Sequence, residues 1–357
     1  MNENELLDIY TDYLISSFGL TTGTGLSQLL NGAISHDRIQ RFLGSSPKTG
    51  KDLWLVVKQY VRQVQSEVGI IIIDDSISEK PHTDENAIIC WHYDHTSGQS
   101  IKGINFMTAL YHVDEVSLPV NYQLIEKTET YIDKKSGKEK RRSSVTKNEV
   151  YRHLLQQVVH NQIPFRYVLN DVWFASADNM MFVVHDLKRH FVMPLKTNRK
   201  LALSLEDKKN GRYVRVDELS IEPHTEMMIY LESVDFALKL VKQVFTNADG
   251  SLGILYLVSS ELELTYDQVT TIYQKRWNVE PYHKSLKQNA SLSKSPTRTV
   301  TTQSNHFFAS LCSFIKLEIL KVKTKTNHFA LKSKLYIQAL RTAFDALQQL
   351  QPIRLSA

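Results

Sequence analysis

The chain has 357 residues, 42% hydrophobic and 23% charged, with 13 Gly and 9 Pro. This mix excludes bulk disorder and predicts two or three folded domains. Net charge is +5 but unevenly spread: residues 1–130 carry 9 Lys/Arg against 17 Asp/Glu, residues 131–357 carry 34 against 21, and residues 284–357 carry 12 against 2. Such a basic second half suits a nucleic-acid surface and suits a solvated face equally well. Two cysteines, Cys90 and Cys312, exclude a disulfide framework and fit a reducing compartment. No basic-then-apolar leader opens the chain and no apolar run approaches the ~20 residues of a membrane span, so a cytoplasmic protein is expected.

Residues 1–65 read as helical, with Leu6, Leu7, Tyr10 and Leu14 on one apolar face. Two glycines in TTGTG interrupt the pattern. A short apolar turn at Leu26 to Leu30 and a Ser35-capped helix, HDRIQRFLG, then resemble a helix-turn-helix, which offers Arg38 and Arg41 to DNA. The run VGIIII, ending in Asp74-Asp75-Ser76, predicts a strand buried on both faces. Further strands are expected at 86–93, 103–112 and 118–126. DKKSGKEKRRSSVTK (133–147) has 7 basic and 2 acidic residues without apolar periodicity and reads as an exposed loop. Helix 149–160, strand FRYVL into Asn170-Asp171, helix 175–187 and strand 190–195 follow. Short alternating segments make 196–262 mostly β, and the chain is helical from Asp267 onward. The order of elements favours an α/β core with appended pieces.

Three features carry chemistry. Asp74 (with Asp75 beside it) and Asp171 end two buried strands, where α/β sheets place their sites, although turn and cap roles suit such residues too. The third feature is YQKRWNVEPYHKSLK at 273–287. On one continuous helix Tyr273, Arg276, Glu280 and Lys287 share an arc of about 60°, with Lys284 nearby. An ordinary solvated face with an Arg–Glu pair at i,i+4 has the same pattern, and Pro281 tends to kink such a helix.

The spacing Tyr-x2-Arg-x3-Glu-x6-Lys resembles the YREK signature of the IS-four-like group of insertion-sequence transposases, cut-and-paste DDE enzymes. IIIIDDS and YVLNDVWFAS resemble their first two catalytic strands, and the likeness runs over about residues 68–325. The resemblance implies a ribonuclease-H-like α/β core (66–195 and 263–325) with a β-rich insertion (196–262). The reading of the residues themselves adds an N-terminal helical DNA-binding region (1–65) and a basic C-terminal helical tail (326–357). The resemblance implies Asp74, Asp171 and Glu280 as catalytic and metal-binding acids, with Asp75 the alternative first acid, and Tyr273, Arg276, Lys284 and Lys287 as DNA contacts. Two Mg²⁺ ions, replaceable by Mn²⁺, are the implied cofactors. The implied partners are double-stranded DNA (terminal inverted repeats and target) and a second copy in a homodimer, at the bacterial nucleoid and away from membranes. Excision through a hairpin is common in the group. Its flipped base stacks on a tryptophan of the insertion, but no tryptophan lies within 196–262, which leaves Tyr213, Tyr230 and Tyr256. A nuclease or resolvase on the same core, and a silent DNA-binding repressor, are the alternatives.

Overall fold

The computed structural model describes residues 1–94, 97–134, 137–247 and 249–350. Four helices come first: α1 (Glu3–Ser16), α2 (Gly23–Leu29), α3 (His36–Leu43) and α4 (Gly50–Val64). Strands β1 (Ile70–Glu79), β2 (Ile89–Asp94), β3 (Gln99–Val113) and β4 (Val116–Leu124) follow, then a ribbon of β5 (Glu129–Ile132) and β6 (Glu139–Arg142). Helix α5 (Lys147–His160) leads to β7 (Tyr167–Leu169), α6 (Ala177–Met181) with a π-turn at Phe182–Asp186, and β8 (His190–Leu195). Next come β9 (Lys200–Ala202), α7 (Leu205–Lys209), β10 (Val214–Arg215), β11 (Glu226–Leu231), β12 (Leu238–Thr246) and β13 (Leu252–Ser259). Helices α8 (Tyr266–Gln274), α9 (Val279–Gln288), α10 (Val300–Thr324) and α11 (His328–Leu350) close the chain.

These elements form two compact units, Thr49–Pro281 and Met1–Lys48 with the chain from Tyr282 onward. The expected helical region 1–65 is divided: α1 to α3 belong to the second of these units, and α4 belongs with the sheet. Leu53, Trp54, Val57 and Val61 give α4 its buried stripe, which packs on β4. Gly50 at its start lies so close to β4 that a Cβ there would collide with Asn121.

The unit Thr49–Pro281 is a mixed α/β structure around one large sheet, ordered β10-β9-β11-β12-β13-β8-β7-β1-β3-β2, with β4 also paired to β3. At its centre β1, β7 and β8 run parallel, and the flanking pairs are antiparallel. Ile70 to Ile73 are all buried, as an uninterrupted β-branched run on a central strand must be. The strands between 196 and 262 extend this same sheet, since β13 pairs with β8. The stretch 133–147 is not a plain loop: β5 and β6 pair as a separate ribbon, and α5 starts at Lys147. All eight ribbon residues are exposed, so no apolar alternation marks it in the sequence. Residues 135–136 of that stretch, and 351–357 of the expected tail, lie outside the described residues.

In the other unit α1, α2, α3 and α10 enclose Tyr10, Leu14, Leu26, Ile39 and Ala309. Ser35 caps α3 as expected, its Oγ accepting from the Arg38 amide at 3.4 Å. His306 is fully buried among these helices. Its Nε2 faces the Ser291 and Leu292 carbonyls at 3.1 and 3.2 Å, and its Nδ1 faces the Tyr10 hydroxyl at 3.0 Å. Carbonyls only accept, so Nε2 carries the proton and Nδ1 accepts from Tyr10. Among the described residues no helix is long and apolar enough to cross a membrane. His306→Leu strands a buried hydroxyl and two carbonyls; a loss of about 2–3 kcal/mol in urea unfolding is expected.

Candidate active site

The site begins with strand register. β1 and β7 pair in parallel through Ile70–Tyr167, Ile71–Val168 and Ile72–Leu169. Two residues beyond the last pair stand Asp74 on one chain segment and Asp171 on the other, so the two carboxylates come out level. Strand alternation sends Asp75 to the opposite face, where Lys147 Nζ lies 2.7 Å and Asn105 Nδ2 2.8 Å from its Oδ2. The register thus puts Asp74 level with Asp171, while the negative charge of Asp75 still acts on Asp171.

Burial, then the negative charges of Asp171 and Asp75, push the Asp74 carboxyl up to about 8, with Arg276 acting in the opposite direction. Asp171 is raised as well, chiefly by burial. Its Oδ1 accepts from the Trp173 amide at 2.9 Å. Asn170 anchors this corner. Its Oδ1 accepts from Tyr151 Oη at 2.9 Å, its Nδ2 donates to the Asp171 carbonyl at 2.7 Å, and its own carbonyl accepts from Tyr273 Oη at 3.3 Å.

Residues 273–287 are not one continuous helix. A 3₁₀ turn at Lys275–Asn278 separates α8 from α9, so angles reckoned at one α-helical twist do not hold across it. Pro281 is the third residue of α9, within its first turn, where a missing amide costs little. The turn changes what each residue faces. Tyr273 is buried, and burial pushes its hydroxyl up to about 12. Arg276 turns inward: its Nη1 is 3.9 Å from Asp74 Oδ2 and 3.8 Å from Glu280 Oε1. Its guanidinium lies 5.8 Å from the Tyr273 ring centre and 5.3 Å from that of Trp277. Glu280 is 56% exposed.

The donor set fits a hard divalent cation in part. Two raised carboxylates facing each other are suited to one such ion. Glu280 stands beside Arg276, and among the described residues no group of three His, Cys, Asp or Glu is spaced to hold a metal.

Beside Asp171 a cleft of about 470 Å³ is lined by Trp173, Ser176, Lys196, Arg199, Lys200 and Glu232. Trp173 is 51% exposed, with Lys196 Nζ 4.4 Å from its ring centre. Tyr256 is buried, and Tyr213 and Tyr230 are partly exposed. Lys284, Lys287, Arg38 and Arg41 belong to the other compact unit. There Arg38 and Arg41 stand exposed on α3, and Lys284 Nζ lies 5.2 Å from the Phe329 ring centre. Sequence reasoning missed Asn170, Lys147 and the Trp173–Lys196 pair. The only signals were their neighbours, Asp171 for two of them and a basic stretch for the third.

Residues 2–215, more than half of the chain, match the family described as DDE superfamily endonuclease, and residues 139–315 match the transposase DDE domain. The chain belongs to the DDE superfamily endonucleases, metal-dependent enzymes that cleave DNA, and its transposase DDE domain implies DNA transposition. No curated protein matches it.

Asp74 is ionised in the unfolded chain above about pH 4 but holds its proton in the fold until about 8. Folding therefore takes up a proton across that window, and stability falls as pH rises through it. Asp74→Asn should raise the melting temperature by a few degrees at about pH 8 and change it little at about pH 4, as read by scanning fluorimetry across that range.

Proposed function

We propose that the chain is a transposase of the YREK-signature, IS-four-like kind, which binds terminal inverted repeats, excises the element between them and joins it to target DNA. The observation that carries this reading is the level pair Asp74 and Asp171 with Arg276 against Asp74. In this reading β1, β3, β4, β7 and β8, with α5, α8 and α9, are a ribonuclease-H-like core, and β9 to β13 are the β-rich insertion. Asp74 and Asp171 are its first two acids and Glu280 is the third.

A divalent ion bound at the aspartates supplies the polarisation that activates water or a 3′-hydroxyl for attack on phosphorus. The chain's own part is positioning. Asn170, held by Tyr151 and Tyr273, sets the Asp171 backbone, so Tyr273 acts through Asn170. Arg276 supplies a cation for the scissile phosphate. Lys196, Arg199 and Lys200 make the cleft beside Asp171 attractive to a phosphodiester strand, and the exposed Trp173 ring can stack a base there. Arg38 and Arg41 on α3, with Lys284 and Lys287 on α9, contribute further backbone contacts. Two ends must be cut and joined together, so the working form is a homodimer on paired ends.

Incubation with DNA carrying the element's own ends, in Mg²⁺ or EDTA, tests this. Metal-dependent nicking at the element boundary is expected, with hairpin ends as the excision product. Asp171→Asn or Glu280→Gln should lower its rate at least about a hundredfold, equivalent to about 2.7 kcal/mol of barrier. Cleavage without any joining of pre-cut ends would move the reading to a nuclease. Specific binding without cleavage would leave a repressor.

A further inference from the structure

We propose that Arg276 is a displaceable countercation: in the DNA-free protein its guanidinium stands where it opposes loading of a divalent ion on Asp74, and a DNA phosphate draws it away. DNA and metal then bind cooperatively, each favouring the other. The proposal rests on the assignment of Asp74 and Asp171 as the metal-binding acids.

Several independent features of Arg276 point the same way. One nitrogen, Nη1, faces Asp74 at 3.9 Å and Glu280 at 3.8 Å. Both distances exceed hydrogen-bonding range, so neither carboxylate holds the guanidinium in a fixed fork. The Nε is buried without an acceptor, and a buried donor left unmade favours any state that satisfies it. The Tyr273 and Trp277 rings stabilise the cation, the Tyr273 hydroxyl lies near enough to feel it, and Trp277 is itself 60% exposed, so the cradle opens towards solvent. Arg276 also sits on the 3₁₀ turn between two α-helices, a kind of element that often marks a hinge.

Charge supplies the coupling. A guanidinium beside Asp74 relieves the repulsion between the two aspartates, and it repels any dication brought to the same carboxylate. A DNA phosphate offers Arg276 a bidentate partner, which neither carboxylate does at these distances. Once the guanidinium moves to phosphate, the place beside Asp74 is open to a divalent ion, and Asp74 gives up its proton as the ion takes that place. Glu280 is released from Arg276 in the same step. By linkage, whatever factor DNA adds to metal affinity, metal adds to DNA affinity.

Mn²⁺ binding to the full chain, followed by the electron paramagnetic resonance of free Mn²⁺, tests this without reference to activity. In DNA-free protein Arg276→Gln should bind Mn²⁺ about tenfold more tightly than wild type, within the usual range of coupling between sites. Arg276→Lys, which keeps the charge, should stay near wild type. A duplex carrying the element end should tighten Mn²⁺ binding to wild type by about the same factor and have little effect on Arg276→Gln. Unchanged or weaker Mn²⁺ binding by a folded Arg276→Gln protein overturns the proposal. If that variant does not fold, equal Mn²⁺ affinity of wild type with and without the duplex overturns it instead. Asp171→Asn separates the two levels of the argument: it should abolish tight Mn²⁺ binding in both backgrounds. If it does not, the aspartate assignment fails and this inference falls with it; if it does while Arg276→Gln has no effect, only the inference fails.

Discussion

Two carboxylates brought level at the ends of neighbouring parallel strands repel one another, and the surrounding structure is arranged around that constraint. The register that makes them level is set by apolar packing: Ile70 to Ile73 are buried on both faces, and β7 pairs with the same stretch of β1. A one-residue slip would turn Asp74 to the far face and leave Ile73 or, in the other direction, Asp75 opposite Asp171, so the hydrophobic pattern of the strand determines the polar geometry beyond it. Asp75 is kept out of the site by the same alternation, with Lys147 and Asn105 as its partners.

The neighbours of the pair divide into groups that hold and groups that neutralise. Asn170 holds: it is fully buried and joins α5, through Tyr151, to α8, through Tyr273, at the residue before Asp171. Arg276 neutralises, from a turn rather than from a continuous helix. A guanidinium set between carboxylates at 3.9 and 3.8 Å, in a cradle of aromatic rings, gives charge compensation without rigid bonding. A site that handles polyanionic DNA benefits from cations free to change partner, because phosphate contact is largely electrostatic.

The large sheet gives the site its setting. β13 joins β8 edge to edge, so the strands that follow residue 196 continue the sheet instead of forming a separate layer. That places the Lys196–Lys200 connection beside the end of β7, with Trp173 across from it. The cleft follows from two strand ends meeting, the usual location for ligands in α/β sheets.

Local chemistry alone determined much of this. The β-branched run before Asp74, the Ser35 cap, the strand entering Asn170-Asp171 and the helical C-terminal third all follow from side-chain size, periodicity and capping, which act over a few residues. The 3₁₀ turn was hidden, because sequence periodicity assumes one helical twist and a tighter turn leaves no mark on it. The β5–β6 ribbon was hidden because a fully exposed pair has no apolar alternation to read. Which aspartate faces which, and what Arg276 turns towards, only the tertiary structure decided. Asp74, Asp171 and Arg276 stand about a hundred positions or more from one another in the chain, and their relations depend on strand register and a local change of twist that no single segment encodes.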